Sequence, residues 1–181
     1  MKIALKVAFL LLSLGFLLYL YLPSPEFPEQ LDDAYVSNEP ADVETPLRRG
    51  YYTDYGRNEV LAHYQEEFNK SNFFEVPLPT YRLNYPPEEA QTLIRDQARS
   101  TFLEEIVHPF RESIFVNGFE PKLAQDAIKI DEKDWRQKVI VRYVPSNLGV
   151  RLLIGFLTLG LTLLISKNLY QAAIDIKKEL K

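Results

Sequence analysis

The stretch VRYVPSNLGVRLLIGFLTLG, Val141–Gly160, changes its periodicity partway along. Its first residues continue an alternating, strand-like segment, and after Pro145 it becomes an apolar run suited to a helix long enough to enter a bilayer. Only Pro145, Ser146 and Asn147 separate the two, and Ser146 or Asn147 is placed to cap the coming helix. A folded domain joined to a membrane with almost no slack is the expectation from which the rest of the chain is read.

The apolar segment runs from about Leu148 to Ser166, with Arg151 near its start and Lys167 after it. An arginine at that depth can extend its stem and keep the guanidinium at headgroup level. A second apolar run, Ile3–Leu22, is flanked by Lys2 and Lys6 and ends in Tyr19 and Tyr21, residues suited to the headgroup layer. A cleaved signal peptide shares the basic start and apolar core. The following YLYLPSPEF offers no small-x-small cleavage pattern, which favours an uncleaved anchor. Lysines precede the first run, Pro23–Pro46 holds no basic residue, and Lys167, Lys177, Lys178 and Lys181 follow the second run. The positive-inside rule then puts both termini in the cytoplasm and the centre outside, and a cysteine-free exterior with a simple lysine-flanked anchor suggests a plasma (inner) membrane.

The hydrophobic share of 46% is ordinary, but the apolar residues concentrate at the two ends, so the average misleads. With a net charge of −4 the chain lacks the basic field of a nucleic-acid binder, and no nucleic-acid partner is expected. The absence of cysteine excludes disulfides, thiolate nucleophiles, cysteine-held metals and a lipidated cysteine.

Residues 23–47 combine prolines with Glu26, Glu29, Asp32, Asp33, Glu39, Asp42 and Glu44, a composition that favours an extended tether or linker. Residues 48–145 then form the exterior domain, followed by the second span at 146–167 and an amphipathic cytoplasmic tail at 168–181. Within the domain, Thr53 or Asp54 can cap a helix whose stripe is Val60, Leu61, Tyr64 and Phe68. TYRLNY alternates as a strand, ended by Pro86 and Pro87. Ala90, Leu93, Ile94, Ala98, Phe102 and Ile106 line a longer second helix that stops before Pro109. SIFV is a strand before an Asn117-Gly118 turn, and AIKI and WRQKVIVRYV flank Asp131–Asp134 as a hairpin. In that reading Trp135, Val139, Val141 and Tyr143 point one way and Arg136, Lys138 and Arg142 the other. The expected fold class is α+β: two transmembrane helices flanking a small extracytoplasmic domain of two helices packed on an antiparallel sheet.

Signatures of chemistry are sparse. His63 and His108 lie in no zinc spacing, and Glu59 with His63 supplies only two ligands. No serine sits in GxSxG, and the glycines form no phosphate loop. Glu88, Glu89, Asp96, Glu104 and Glu105 read as the solvated face of the second helix, with Arg95 and Arg99 among them. No catalytic residue, cofactor or metal is therefore expected. Tyr51, Tyr52, Tyr55 and Tyr64 could line a groove or fill the core. Arg136, Lys138 and Arg142, on the outward face of the last strand, could meet anionic headgroups, an acidic partner or the chain's own acidic tract. Gly155, Thr158 and Thr162 share one side of the second span and, with Gly160 nearby, could permit close helix packing.

The expected function is that of a non-catalytic two-span protein of the cell envelope, whose exterior domain serves protein–protein interaction or complex assembly. Its partners are the bilayer and either another envelope protein or further copies of itself. The alternative is an extracytoplasmic ligand sensor that acts through the second span. The layout is similar to that of polysaccharide co-polymerases, which have cytoplasmic ends and an α/β exterior. That similarity concerns topology alone, because their proline-rich motif at the second span is not evident beyond Pro145.

Overall fold

The computed structural model describes residues 3–70, 77–86, 89 and 99–179. The chain divides into two compact units, one of Met1–Leu22 with Ser146–Lys181 and one of Pro23–Pro145.

The first unit holds two helices, α1 (Ile3–Tyr21) and α3 (Leu148–Glu179), both long and apolar enough to cross a membrane. Asn147 caps α3, its side-chain oxygen accepting from the amides of Gly149 at 2.8 Å and Val150 at 3.3 Å. The tail segment continues the span without interruption. α3 runs on as one helix of 32 residues, about 48 Å at the usual rise. That exceeds a hydrocarbon core of about 30 Å, so a spanning α3 must extend beyond it. α1 and α3 pack where Gly155 is buried. A Cβ there would come within 2.5 Å of Leu20 and 3.6 Å of Leu17.

The second unit is α+β. Six strands form one antiparallel sheet in the order β1-β2-β8-β5-β4-β3: β1 (Tyr35–Val36), β2 (Arg48–Thr53), β3 (Tyr81–Tyr85), β4 (Phe102–Val107), β5 (Ser113–Phe119) and β8 (Gln137–Val144). β6 (Ile128–Ile130) and β7 (Lys133–Trp135) make a separate small hairpin. The sheet's inner face carries Tyr51, Phe102, Ile106, Ile114, Val116, Val139, Val141 and Tyr143. It packs on α2 (Arg57–Asn69) through Val60, Leu61, Tyr64 and Phe68, the stripe expected from the sequence.

Several local readings are corrected. The cap of α2 is neither Thr53 nor Asp54: Gly56 takes the cap position and Glu59 accepts its amide at 2.7 Å. Phe102–Ile106 is not helix but β4, and this follows from a spacing of four, which both a 3.6-residue and a 2-residue period accommodate. The earlier part of that expected helix, 90–98, lies outside the described residues. Asn117-Gly118 is no turn but the interior of β5, where Gly118 faces Phe102 and a Cβ would overlap the ring. The hairpin turn is tighter than expected. Asp131 and Glu132 both take positive φ, 49° and 64°, between the paired Ile130 and Lys133, so Trp135 belongs to β7 and Gln137 takes its place on the buried side of β8.

The largest difference concerns residues 23–47. The expected tether instead packs on the sheet unit: Pro25, Pro28, Leu31, Ser37 and Asp42 are buried, Phe27 and Ala34 join the core, and Tyr35–Val36 pair with β2. Apolar residues at intervals of three to four, Phe27, Leu31 and Ala34, supply the burial that composition alone conceals.

Candidate functional site

Two clusters of buried charge pin the acidic tract. On the outer face of the sheet, Lys138 of β8 donates to Asp42 at 2.7 Å and to Glu39 at 2.9 Å, while Ser37 donates to Asp42 at 2.6 Å. The Tyr52 hydroxyl donates to Glu39 at 2.5 Å, and the Ser37 amide donates to the Gly50 carbonyl at 2.8 Å. Gly50 is required here, since a Cβ would lie 2.6 Å from the Asp42 carboxyl carbon. Burial pulls the Lys138 ammonium down, but its bonds to Asp42 and Glu39 outweigh this and raise its pKa. The bonds from Tyr52 and Lys138 hold Glu39 below the usual carboxylate range.

The second cluster follows β4. His108 Nδ1 donates to Glu112 at 3.0 Å and Arg111 Nε to the same oxygen at 2.9 Å, and all three side chains are fully buried. Arg111 also donates to the Pro23 carbonyl at 2.7 Å, and Ser24 donates to Glu112 at 3.1 Å. The imidazole stacks on Phe68, ring centres 4.0 Å apart. Burial pushes the Glu112 carboxyl up, yet the bond from His108 and the charge of Arg111 together leave its pKa lowered. This cluster clamps the first two residues of the tract. The sequence alone places His108 where a helix stops before Pro109 and does not single out Arg111 and Glu112, whose signal is a histidine, an arginine and a glutamate within HPFRE.

The four tyrosines do not form one groove. Tyr51 and Tyr64 are core residues whose hydroxyls burial pushes up, Tyr55 packs beside them half-buried, and Tyr52 stands on the opposite face with Glu39. Arg136 is bonded to Glu120 at 2.9 Å through its side chain and to Asp54 through its amide. Arg142 is exposed, and among the described residues it has no ion pair. His63 meets the Glu29 carbonyl at 2.9 Å. Glu104, expected on a solvated helix, is a buried residue of β4 paired with Arg57 and, at 3.6 Å, with Arg82. Glu105 accepts from Tyr85, whose hydroxyl is pushed up to about 12 by burial and that carboxylate. Glu88, Asp96 and Arg95 lie outside the described residues. In α3, Thr158 and Thr162 donate to carbonyls of their own helix at 2.8 Å, and Gly155 lies in close contact with Leu20 of α1.

Two features of the described surface bear on recognition. Among the described residues β3 is an edge strand whose one partner is β4, and Tyr81 and Leu83 are 62% and 45% exposed. A groove of about 400 Å³ at the end of β2 and β8 is lined by Arg48, Arg142, Glu44, Thr45, Leu47 and Pro145 among others. Among the described residues no group of three or more His, Asp or Glu side chains is placed to hold a metal. No family model, curated protein or solved structure matches the chain.

Proposed function

We propose that the protein is a non-catalytic two-span component of the plasma membrane, with both termini cytoplasmic, and that its sheet unit lies outside and serves assembly. One observation supports this most: the open edge of β3. A strand exposed on both faces, with one side that has no strand partner among the described residues, is a template for strand addition, and soluble proteins usually blunt such edges.

The occupant we propose is β3 of a second copy. Tyr81-Arg82-Leu83-Asn84-Tyr85 is nearly self-complementary about Leu83. Antiparallel pairing centred there sets leucine against leucine, tyrosine against tyrosine, and the strand's single charge, Arg82, against Asn84. No like charges meet, and the cross-strand aromatic pairs are favourable. Pro79 and Pro86 confine the pairing to this short segment. Five residues make a weak contact alone, and confinement to a membrane raises the effective concentration that would make it count.

The test is gentle extraction of the full-length protein from its native membrane, followed by size measurement and identification of whatever co-purifies. A homo-oligomer reduced to single chains by Leu83→Lys supports the proposal. A monomer that crosslinking leaves unchanged overturns it and favours ligand sensing.

A further inference from the structure

Arg136, which immediately precedes β8, and Lys138 and Arg142 on β8 have different surroundings. Lys138 is satisfied by Asp42 and Glu39, and Arg136 by Glu120. Arg142 has no such partner among the described residues, and its directly opposed residue on β2 is another arginine, Arg48. Like charges opposed across an antiparallel pair destabilise it. Arg48 is only 6% exposed, and its Nε has no hydrogen-bond partner among the described residues. A buried guanidinium nitrogen left unsatisfied is costly, and a second positive charge opposite it adds repulsion. Both arginines line the 400 Å³ groove, where Thr45 adds a hydroxyl. Glu44 also lines it but is not a free carboxylate.

We propose that Arg48 and Arg142 form a binding site for a phosphate group. Two guanidinium forks offer the donor pattern that phosphate oxygens match, and a bound anion removes both the repulsion and the unsatisfied donor. Position in the chain points to lipid as the source. Arg142 precedes the first residue of α3, Leu148, by six positions, a reach of about 20 Å even when fully extended. If α3 spans the bilayer, the headgroup layer lies within that reach. Only the lipid source rests on the membrane reading; the site stands on the arginine pair alone and is independent of pairing at β3.

The experiment uses full-length protein in an uncharged detergent, with phosphatidylglycerol and inorganic phosphate as separate probes. Lipid retention is read by native mass spectrometry and stability by the thermal midpoint. The wild type should retain phosphatidylglycerol and gain stability from it. Arg142→Gln, at an exposed position, should lower retention about tenfold, as expected for loss of about 1.4 kcal/mol. Without any anion the same variant should melt higher than the wild type, because the repulsion is gone; a merely structural arginine would show the reverse. Arg136→Gln should leave retention unchanged. If excess inorganic phosphate displaces the lipid and alone raises the midpoint, the site takes free phosphate as well; if it does neither, the site is specific for headgroups. Both results support the site. Retention independent of Arg142, or absent from the wild type, overturns the proposal.

Discussion

At one edge of the sheet β1 contributes two residues, Tyr35 and Val36, and the acidic tract around them is held by Lys138, Tyr52 and Gly50. At the other edge β3 contributes five, with Tyr81 and Leu83 open to solvent. The first edge is short, and the charged segment that follows it is tied down on β2 and β8; a very short edge strand is one usual means of preventing strand addition. The second carries Arg82, but that charge is drawn back to Glu104 of the neighbouring strand. One edge is thus finished within the chain while the other keeps its pairing capacity, and this contrast yields measurable differences.

The largest effect should come from the clamp that begins the closed edge. Glu112→Gln leaves Arg111 buried beside a neutral group, and breaking a buried pair costs about 3–5 kcal/mol. Denaturant unfolding at neutral pH measures the loss. The sign of the pH dependence follows from the lowered pKa. Glu112 contributes fully above its ordinary value of 4.5, and the contribution disappears as pH falls through the lower folded value. The variant should lack that acid-dependent component.

Next comes Asp42→Asn, which weakens the bonds from Lys138 and Ser37. Charge-assisted bonds of this kind are worth about 1.5–3 kcal/mol, so a loss of about 2 kcal/mol is expected, with faster hydrogen exchange at the Ser37 amide. Because Lys138 is raised in the fold, its contribution is complete below lysine's ordinary 10.5 and is lost as pH rises through the folded value. Gly50→Ala should cost somewhat less, about 1–2 kcal/mol, by pushing the Asp42 carboxyl away. Equal exchange at Ser37 in all three proteins would refute the idea that this network closes the edge.

How far these edges were legible differs residue by residue. β3 was readable because Tyr81, Leu83 and Tyr85 alternate with Arg82 and Asn84 between prolines, a local pattern with local causes. The α2 stripe and the Asn147 cap were readable for the same reason. The folding of residues 23–47 onto the sheet was not, because its determinants are distant: Asp42 needs Lys138, Ser24 needs Glu112, and Pro23 needs Arg111. Charge and proline content describe how a segment behaves alone, and they say nothing of a lysine 96 positions away in sequence. The anion groove was half visible. Arg142 stood out on its strand, but Arg48 became its neighbour only through the β2–β8 register.

The smallest effect on stability should produce the largest on association. Leu83→Lys changes an exposed position whose substitution costs at most about 0.5 kcal/mol, so unfolding should be nearly unchanged. In the two-fold register, however, the change sets two lysines face to face at the centre of the paired edge, where like charges repel. Crosslinking of the membrane-embedded protein should therefore fall to single chains while the fold persists. A Val36→Lys change at the other edge should leave crosslinking untouched, since a β1 of two residues offers too little to pair. Equal loss in both variants would mean that association depends on surface charge in general, and the distinction between the two edges would fail.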